Sequence, residues 1–139
     1  CILNKRISSG DSVLTIVLVE DSALVRERVR ELIDEFPKLI LAGEYDNAAA
    51  AITALRRKPA DIVLLDIKLR GSAGQDVIRH VKGTAPATIV IVFTNHSEDE
   101  YRDLFIRLGA DYFFSKTHDT ERLRETLEQL CANTPLTDD

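Results

Sequence analysis

Five polar residues each follow an apolar run in this chain. Glu20 and Asp21 follow Thr15–Val19, and Asp66 follows Ile62–Leu65. Thr94 follows Ile89–Phe93, and Lys116 follows Tyr112–Ser115. Continuous apolar runs without alternation suit strands covered on both faces, as in a parallel sheet. Ligands of open parallel sheets bind just beyond the carboxyl ends of the strands. One carboxylate at a strand end is ordinary, because charged residues belong where a strand meets water. Three carboxylates, a hydroxyl and an ammonium on one sheet edge are much less so. Like charges 4 Å apart repel by about 4 kcal/mol at an effective dielectric of 20. Such a cluster needs a cation or protonation to stay compact. Oxygen-only ligands suit Mg²⁺, with Mn²⁺ as the other candidate. A cation beside Asp66, with Lys116 and the Thr94 hydroxyl opposite, would cradle a phosphoryl group, whose transfer needs mainly positioning and charge neutralisation. A carboxylate nucleophile would yield an aspartyl phosphate.

The elements that must position these groups alternate. Val25, Val29, Leu32, Ile33 and Phe36 follow the first run at helical spacing, capped by Asp21 or Ser22 and ended by Pro37. Leu39 to Ala42 read as a second strand, peripheral and contributing nothing to the site, closed by Gly43 or the residues just after it. Asp46-Asn47 opens an alanine-rich helix that Pro59 closes. After Asp66, Arg70-Gly71 reads as a loop. Ser72 with Gln75, and Ser97 with Glu100, have capping-box spacing and predict the starts of the next helices. Gly83 and Pro86 end the first of these, and Gly109 the second. Asp119 caps a last helix with Leu123, Leu127, Leu130 and Cys131 inward. Five strands alternating with five helices predict an α/β domain with a parallel sheet and right-handed crossovers.

The 139 residues suffice for one domain with its own core. A net charge of −5 argues against a nucleic-acid surface on this domain. Cys1 and Cys131 lack metal or redox spacing, which predicts no disulfide and a reducing, cytoplasmic setting. No apolar run approaches the length of a membrane span. Residues 1–14 read as an N-terminal extension, 15–132 as the domain, and 133–139 as a tail or the start of a linker.

The motifs together resemble the receiver domain of two-component response regulators. They are Val17-Leu18-Val19-Glu20-Asp21-Ser22, Leu64-Leu65-Asp66 with Gly74 eight residues on, Phe93-Thr94-Asn95, and Gly109-Ala110-Asp111-Tyr112-Phe113-Phe114-Ser115-Lys116. Each is weak alone, but their order and spacing over Thr15 to Leu130 are specific. The resemblance implies a doubly wound, flavodoxin-like sheet of order 2-1-3-4-5, with helices on both faces. It implies that Asp66 is the phospho-acceptor, served by a sensor histidine kinase or a histidine phosphotransfer protein. Mg²⁺ would be held by Glu20, Asp21, Asp66 and the backbone carbonyl of Lys68. Thr94, Lys116 and the amides of Ile67 and Asn95 would hold the phosphoryl oxygens. Thr94 and Phe113 would form a switch, Phe113 turning inward as Thr94 is drawn to the phosphoryl group. The face from residue 97 to 131 would dimerise or meet a partner. Such a domain is a signalling module that catalyses only its own phosphorylation and dephosphorylation.

The sequence departs from the family at Arg70 and Thr117, where family members usually carry proline. Without proline a cis bond at Lys116–Thr117 would cost about 3–4 kcal/mol, so trans is expected. Lys68 and His96, each two residues beyond a site residue, are either solvated loop residues or a screen against attacking water. A rival reading on the same fold is a phosphohydrolase with an aspartate nucleophile. It would need a general acid where Lys68 stands, and lysine fills that role poorly. Another is a pseudo-receiver that binds partners without taking phosphate, although every site position is filled here.

Overall fold

The computed structural model describes residues 13–69 and 72–133. Most of the expected extension, most of the tail, and the Arg70-Gly71 loop lie outside the described residues. Five strands, β1 (Leu14–Val19), β2 (Leu39–Tyr45), β3 (Ile62–Leu65), β4 (Ile89–Thr94) and β5 (Tyr112–Ser115), form one sheet. The spatial order is β2-β1-β3-β4-β5, and every pairing is parallel. This is the doubly wound order the resemblance implies. Five helices alternate with the strands: α1 (Ala23–Asp34), α2 (Ala48–Arg57), α3 (Gly74–Thr84), α4 (Asp99–Leu108) and α5 (Thr120–Ala132).

The apolar runs lack alternation because both faces of the sheet are covered. Ile16, Leu18, Ile62, Leu64, Ile91, Phe93 and Phe114 share one core layer with residues of α1 and α5. The intervening Val17, Val19, Val63, Leu65, Val90, Val92 and Phe113 share the other with residues of α2, α3 and α4. Side chains at successive strand positions point to opposite faces, so each run feeds both layers. All four residues of β3 are at most 1% exposed. At about 25 cal/mol per Å² of apolar surface, burying each such side chain contributes about 1.5–3 kcal/mol.

Several expected boundaries shift. β1 begins at Leu14, and β2 runs through Gly43 to Tyr45. β2 carries a register shift: Ile16 pairs with Leu41 but Val17 with Gly43, leaving Ala42 as an extra residue. The helix after Asp66 starts at Gly74 with Ala73 at its N-cap, so Ser72 and Gln75 do not make the expected box. Gly83 lies inside that helix. Likewise α4 starts at Asp99 with Glu98 as N-cap and no side-chain cap, so Ser97 and Glu100 do not form a box either. Spacing alone cannot exclude a start one or two residues later. By contrast, Ser22 and Asn47 cap α1 and α2 through the amides of Val25 and Ala50. Asp119 occupies the N-cap position of α5, but its carboxylate turns to the Ser115 amide instead. Gly109 ends α4 at φ 115°, a left-handed conformation that favours glycine. Among the described residues no peptide bond is cis, as expected at Lys116–Thr117.

Candidate phosphoryl-acceptor site

Ladder hydrogen bonds that run past the strand ends carry the polar groups into one crevice. The Asp66 amide donates to the Val19 carbonyl at 3.0 Å. The Lys116 amide donates to the Thr94 carbonyl at 2.9 Å, and the Glu20 amide to that of Tyr45 at 2.9 Å. Glu20, Asp66 and Lys116 therefore sit one step beyond a paired strand, Asp21 two steps beyond, and Thr94 at the last step. In register, Val19, Leu65, Val92 and Phe113 form one row across the sheet, and the site lies just past it.

Glu20, Asp21 and Asp66 each bring a carboxylate oxygen within 4.8 Å of the others. Glu20 and Asp66 are buried, whereas Asp21 is partly exposed. The Lys116 ammonium bridges the two buried acids, 2.7 Å from Glu20 Oε1 and 2.9 Å from Asp66 Oδ2. The Thr94 hydroxyl, fully buried, donates to Asp66 Oδ1 at 2.7 Å. The Ile67 amide donates to the same oxygen at 2.7 Å. The His96 amide in turn donates to the Thr94 hydroxyl oxygen at 3.0 Å. The Ser22 amide donates to Glu20 Oε2 at 3.0 Å.

Lys116 supplies part of the compensation that three clustered carboxylates require. Burial alone would lower its pKa. Its hydrogen bonds to Glu20 and Asp66, with their charges, outweigh burial and hold it above the ordinary lysine value. Burial raises the Glu20 carboxyl above its ordinary value, against the downward pull of Lys116 and the Ser22 amide. When ionised, three carboxylates against one ammonium leave two negative charges in an all-oxygen site. That surplus and donor set fit a hard divalent cation.

Of the other expected residues, Lys68 lies exposed on a two-residue ribbon strand that pairs with Ala73. Its ammonium sits 5.5 Å from the centre of the Tyr101 ring, and the His96 imidazole meets that ring edge-on at 6.1 Å. Tyr101 lies on α4, partly buried against the core layer of α2 and α3. Asn95 is exposed at the end of β4. Phe113 is 3% exposed, with the Arg102 guanidinium 5.6 Å from its ring centre. Phe113 is thus packed in the core layer shared with α4, and the Thr94 hydroxyl is bonded to Asp66.

Gly74 shows why the acceptor loop tolerates no side chain at that point. A Cβ there would stand 2.6 Å from the Asp66 carbonyl oxygen and 2.8 Å from Ile67 Cα, both backbone atoms. The Gly74 amide also donates to the Ile67 carbonyl at 2.9 Å. Gly74→Ala is expected to lower stability by about 1–3 kcal/mol, the usual range for overpacking. The acceptor loop must move to admit the methyl group, so the Ile67 amide resonance should shift as well. A urea midpoint and an amide spectrum equal to those of the unaltered protein would refute the close approach.

The response regulator receiver domain model matches residues 16–128. Nitrate/nitrite response regulator protein NarL of Escherichia coli K12 is 29% identical over 126 residues, covering 89% of this chain and 57% of that protein. Response regulator GacA of Pseudomonas aeruginosa is 24% identical over 119 residues, covering 86% of this chain and 56% of that protein. A LuxR-family two-component response regulator from Aurantimonas has a crystal structure that matches with TM-score 0.79 at 29% identity, over 89% of each chain. The response regulator domain of Thermotoga maritima CheB shares the fold, with TM-score 0.77 at 22% identity over 88% of this chain and 99% of that one. The chain belongs to the response regulator receiver domain family, whose general chemistry is phosphorylation. It spans little more than half the length of the curated relatives named here.

Proposed function

We propose that this domain accepts a phosphoryl group on Asp66 from a phosphohistidine of a sensor histidine kinase or phosphotransfer protein, and that the adduct controls an output. The observation that carries the reading is the convergence on Asp66. One oxygen takes the Thr94 hydroxyl and the Ile67 amide, and the other takes the Lys116 ammonium. An oxygen of this carboxylate attacks phosphorus, and the bond from phosphorus to the donor nitrogen breaks. The electron pair of that bond leaves with the imidazole. Thr94 and Lys116 flank the carboxylate and would turn to the transferred oxygens as these arrive. The exposed Asn95 amide is the remaining donor proposed for those oxygens. Glu20, Asp21, Asp66 and the Lys68 carbonyl would hold Mg²⁺, which supplies charge neutralisation for the incoming phosphoryl group.

A change of partner at the Thr94 hydroxyl, from the Asp66 carboxylate to a phosphoryl oxygen, would bias the loop after β4 and the packing of Phe113 beneath α4. The readout is proposed to lie on the face from residue 97 to 131, through a second copy or a protein partner. Among the described residues no helix is long and apolar enough to cross a membrane. The cytoplasm is the proposed setting. Incubation with a small phosphodonor and Mg²⁺, followed by intact mass and hydroxylamine sensitivity, tests the acceptor. A labile adduct on Asp66 supports the reading. Turnover of the donor without an adduct would favour a phosphohydrolase, and neither result would favour a pseudo-receiver.

Lys68 and His96 meet on one ring, which supports a joint role beside the acceptor. Lys68→Ala and His96→Ala are each expected to shorten the adduct lifetime by up to about tenfold, or about 1.4 kcal/mol of barrier. Loss of label over time measures it. Unchanged lifetimes in both variants would leave the two as solvated loop residues.

A further inference from the structure

We infer that Arg26 is a positioning residue for the acidic loop, held in place by Glu44 of the edge strand β2. This rests on the reading of Glu20, Asp21 and Asp66 as a cation site. Arg26 Nη1 donates to the Glu20 backbone carbonyl at 2.8 Å. Its Nε lies 3.5 Å from Glu44 Oε1. Arg30 Nη1 donates to both oxygens of Glu44, at 2.7 and 2.9 Å, and fixes that carboxylate. The Glu20 amide is itself bound to the Tyr45 carbonyl. Thus both backbone polar groups of Glu20 are tied to β2, one directly and one through the guanidinium. The guanidinium holds the peptide that links Glu20 to Asp21, and the Tyr45 carbonyl holds the one before it.

Two features show that this arrangement is specific. Helical side chains lean back toward the N-terminus, so Arg26, one turn into α1, can reach the loop before it. A cation at that end opposes the helix dipole, so helix stability gives no reason for it there. Second, the extra residue Ala42 changes the parity of β2. Leu39 and Leu41 face the α1 layer, and after the shift Glu44 pairs with Leu18 of that same layer. Without the extra residue a carboxylate at this position would point to the opposite face. The bulge therefore aims Glu44 at α1, where Arg26 and Arg30 stand.

Charge alone and positioning give opposite signs. Arg26 is a cation near a cation site, so its field weakens Mg²⁺ binding, and removing that field alone would tighten it. A positioning role requires the reverse. The test is calorimetric Mg²⁺ titration of the full chain for R26Q and R26K, with amide spectra of the metal-free proteins and urea midpoints as a folding control. Lysine keeps the charge but cannot hold the Glu20 carbonyl and Glu44 together through a planar fork. Both variants are expected to bind Mg²⁺ at least about fivefold more weakly, with the Asp21 and Ser22 amides shifted before metal is added. Equal or tighter binding with unmoved amides would overturn the inference. If the unaltered protein itself binds no Mg²⁺, the cation reading fails separately, and the metal-free amide shifts still decide the role of Arg26. Should R26Q not fold, R26K alone decides, because charge alone predicts unchanged Mg²⁺ binding and positioning predicts weaker binding.

Discussion

Asp66→Asn takes up no phosphoryl group from acetyl phosphate and Mg²⁺, while the unaltered protein forms a labile adduct within the same incubation. An amide oxygen is too weak a nucleophile, but in the Oδ1 position it can still accept from Thr94 and Ile67, while the NH2 in the Oδ2 position cannot accept from Lys116. The variant therefore loses the chemistry and keeps the two bonds at Oδ1, while Lys116 keeps Glu20 as its partner. It also loses one of the three clustered negative charges. Stability in the absence of metal should be equal to or higher than that of the parent, since relief of repulsion among the acids offsets the lost bond to Lys116. Mg²⁺ affinity should fall for the same reason. Intact mass, a urea midpoint and a Mg²⁺ titration read the three effects separately. Stoichiometric label on another residue of the variant would remove Asp66 from the role proposed for it.

How far the sequence carries these readings differs by residue. The strands were legible because each apolar run has the length of a doubly covered strand and the polar residue after it recurs, whereas their order came from the resemblance to receiver domains. The convergence of Glu20, Asp21, Asp66, Thr94 and Lys116 followed from that topology, since all five lie at or just past carboxyl ends. The part played by Glu44 did not. Glu44 falls past the expected end of β2, and its facing depends on one extra residue, Ala42, which no period-2 pattern around it reveals. The approach of Lys68 and His96 to the Tyr101 ring needs the two loops to be placed, which no local pattern does. The false capping boxes at Ser72 and Ser97 have the same origin. A hydroxyl three residues before a carboxamide or carboxylate is permissive, and the backbone around Gly74 and Glu98 decides where the helix begins.

Lys116→Met keeps the length of the side chain and removes its charge, and it should be the most destabilising single change at this site. Lys116 is 10% exposed, Glu20 3% and Asp66 7% at their side chains, so both acids lose their counter-ion where water is scarce. Breaking a buried pair in this way costs about 3–5 kcal/mol at neutral pH, a large share of the 5–15 kcal/mol of a typical domain. The pH dependence separates charge from packing. In the parent, the Lys116 pKa lies above its ordinary 10.5, so its contribution is complete below 10.5 and fades as pH rises through the folded value. Burial already holds Glu20 above its ordinary 4.5, and loss of Lys116 removes a bond and a charge that pull it down. A carboxyl raised in the folded state stabilises most below 4.5, and that benefit disappears as pH rises through its folded value. The deficit of Lys116→Met should therefore be smallest in acid, grow to a plateau near neutrality, and shrink again above pH 10.5 as the parent lysine loses its charge. Added Mg²⁺ should raise the urea midpoint of the variant more than that of the parent, because the variant site carries one more unit of uncompensated negative charge. A deficit of the same size at every pH, indifferent to Mg²⁺, would mean that Lys116 acts through the packing of its methylenes and that the three acids do not share one field.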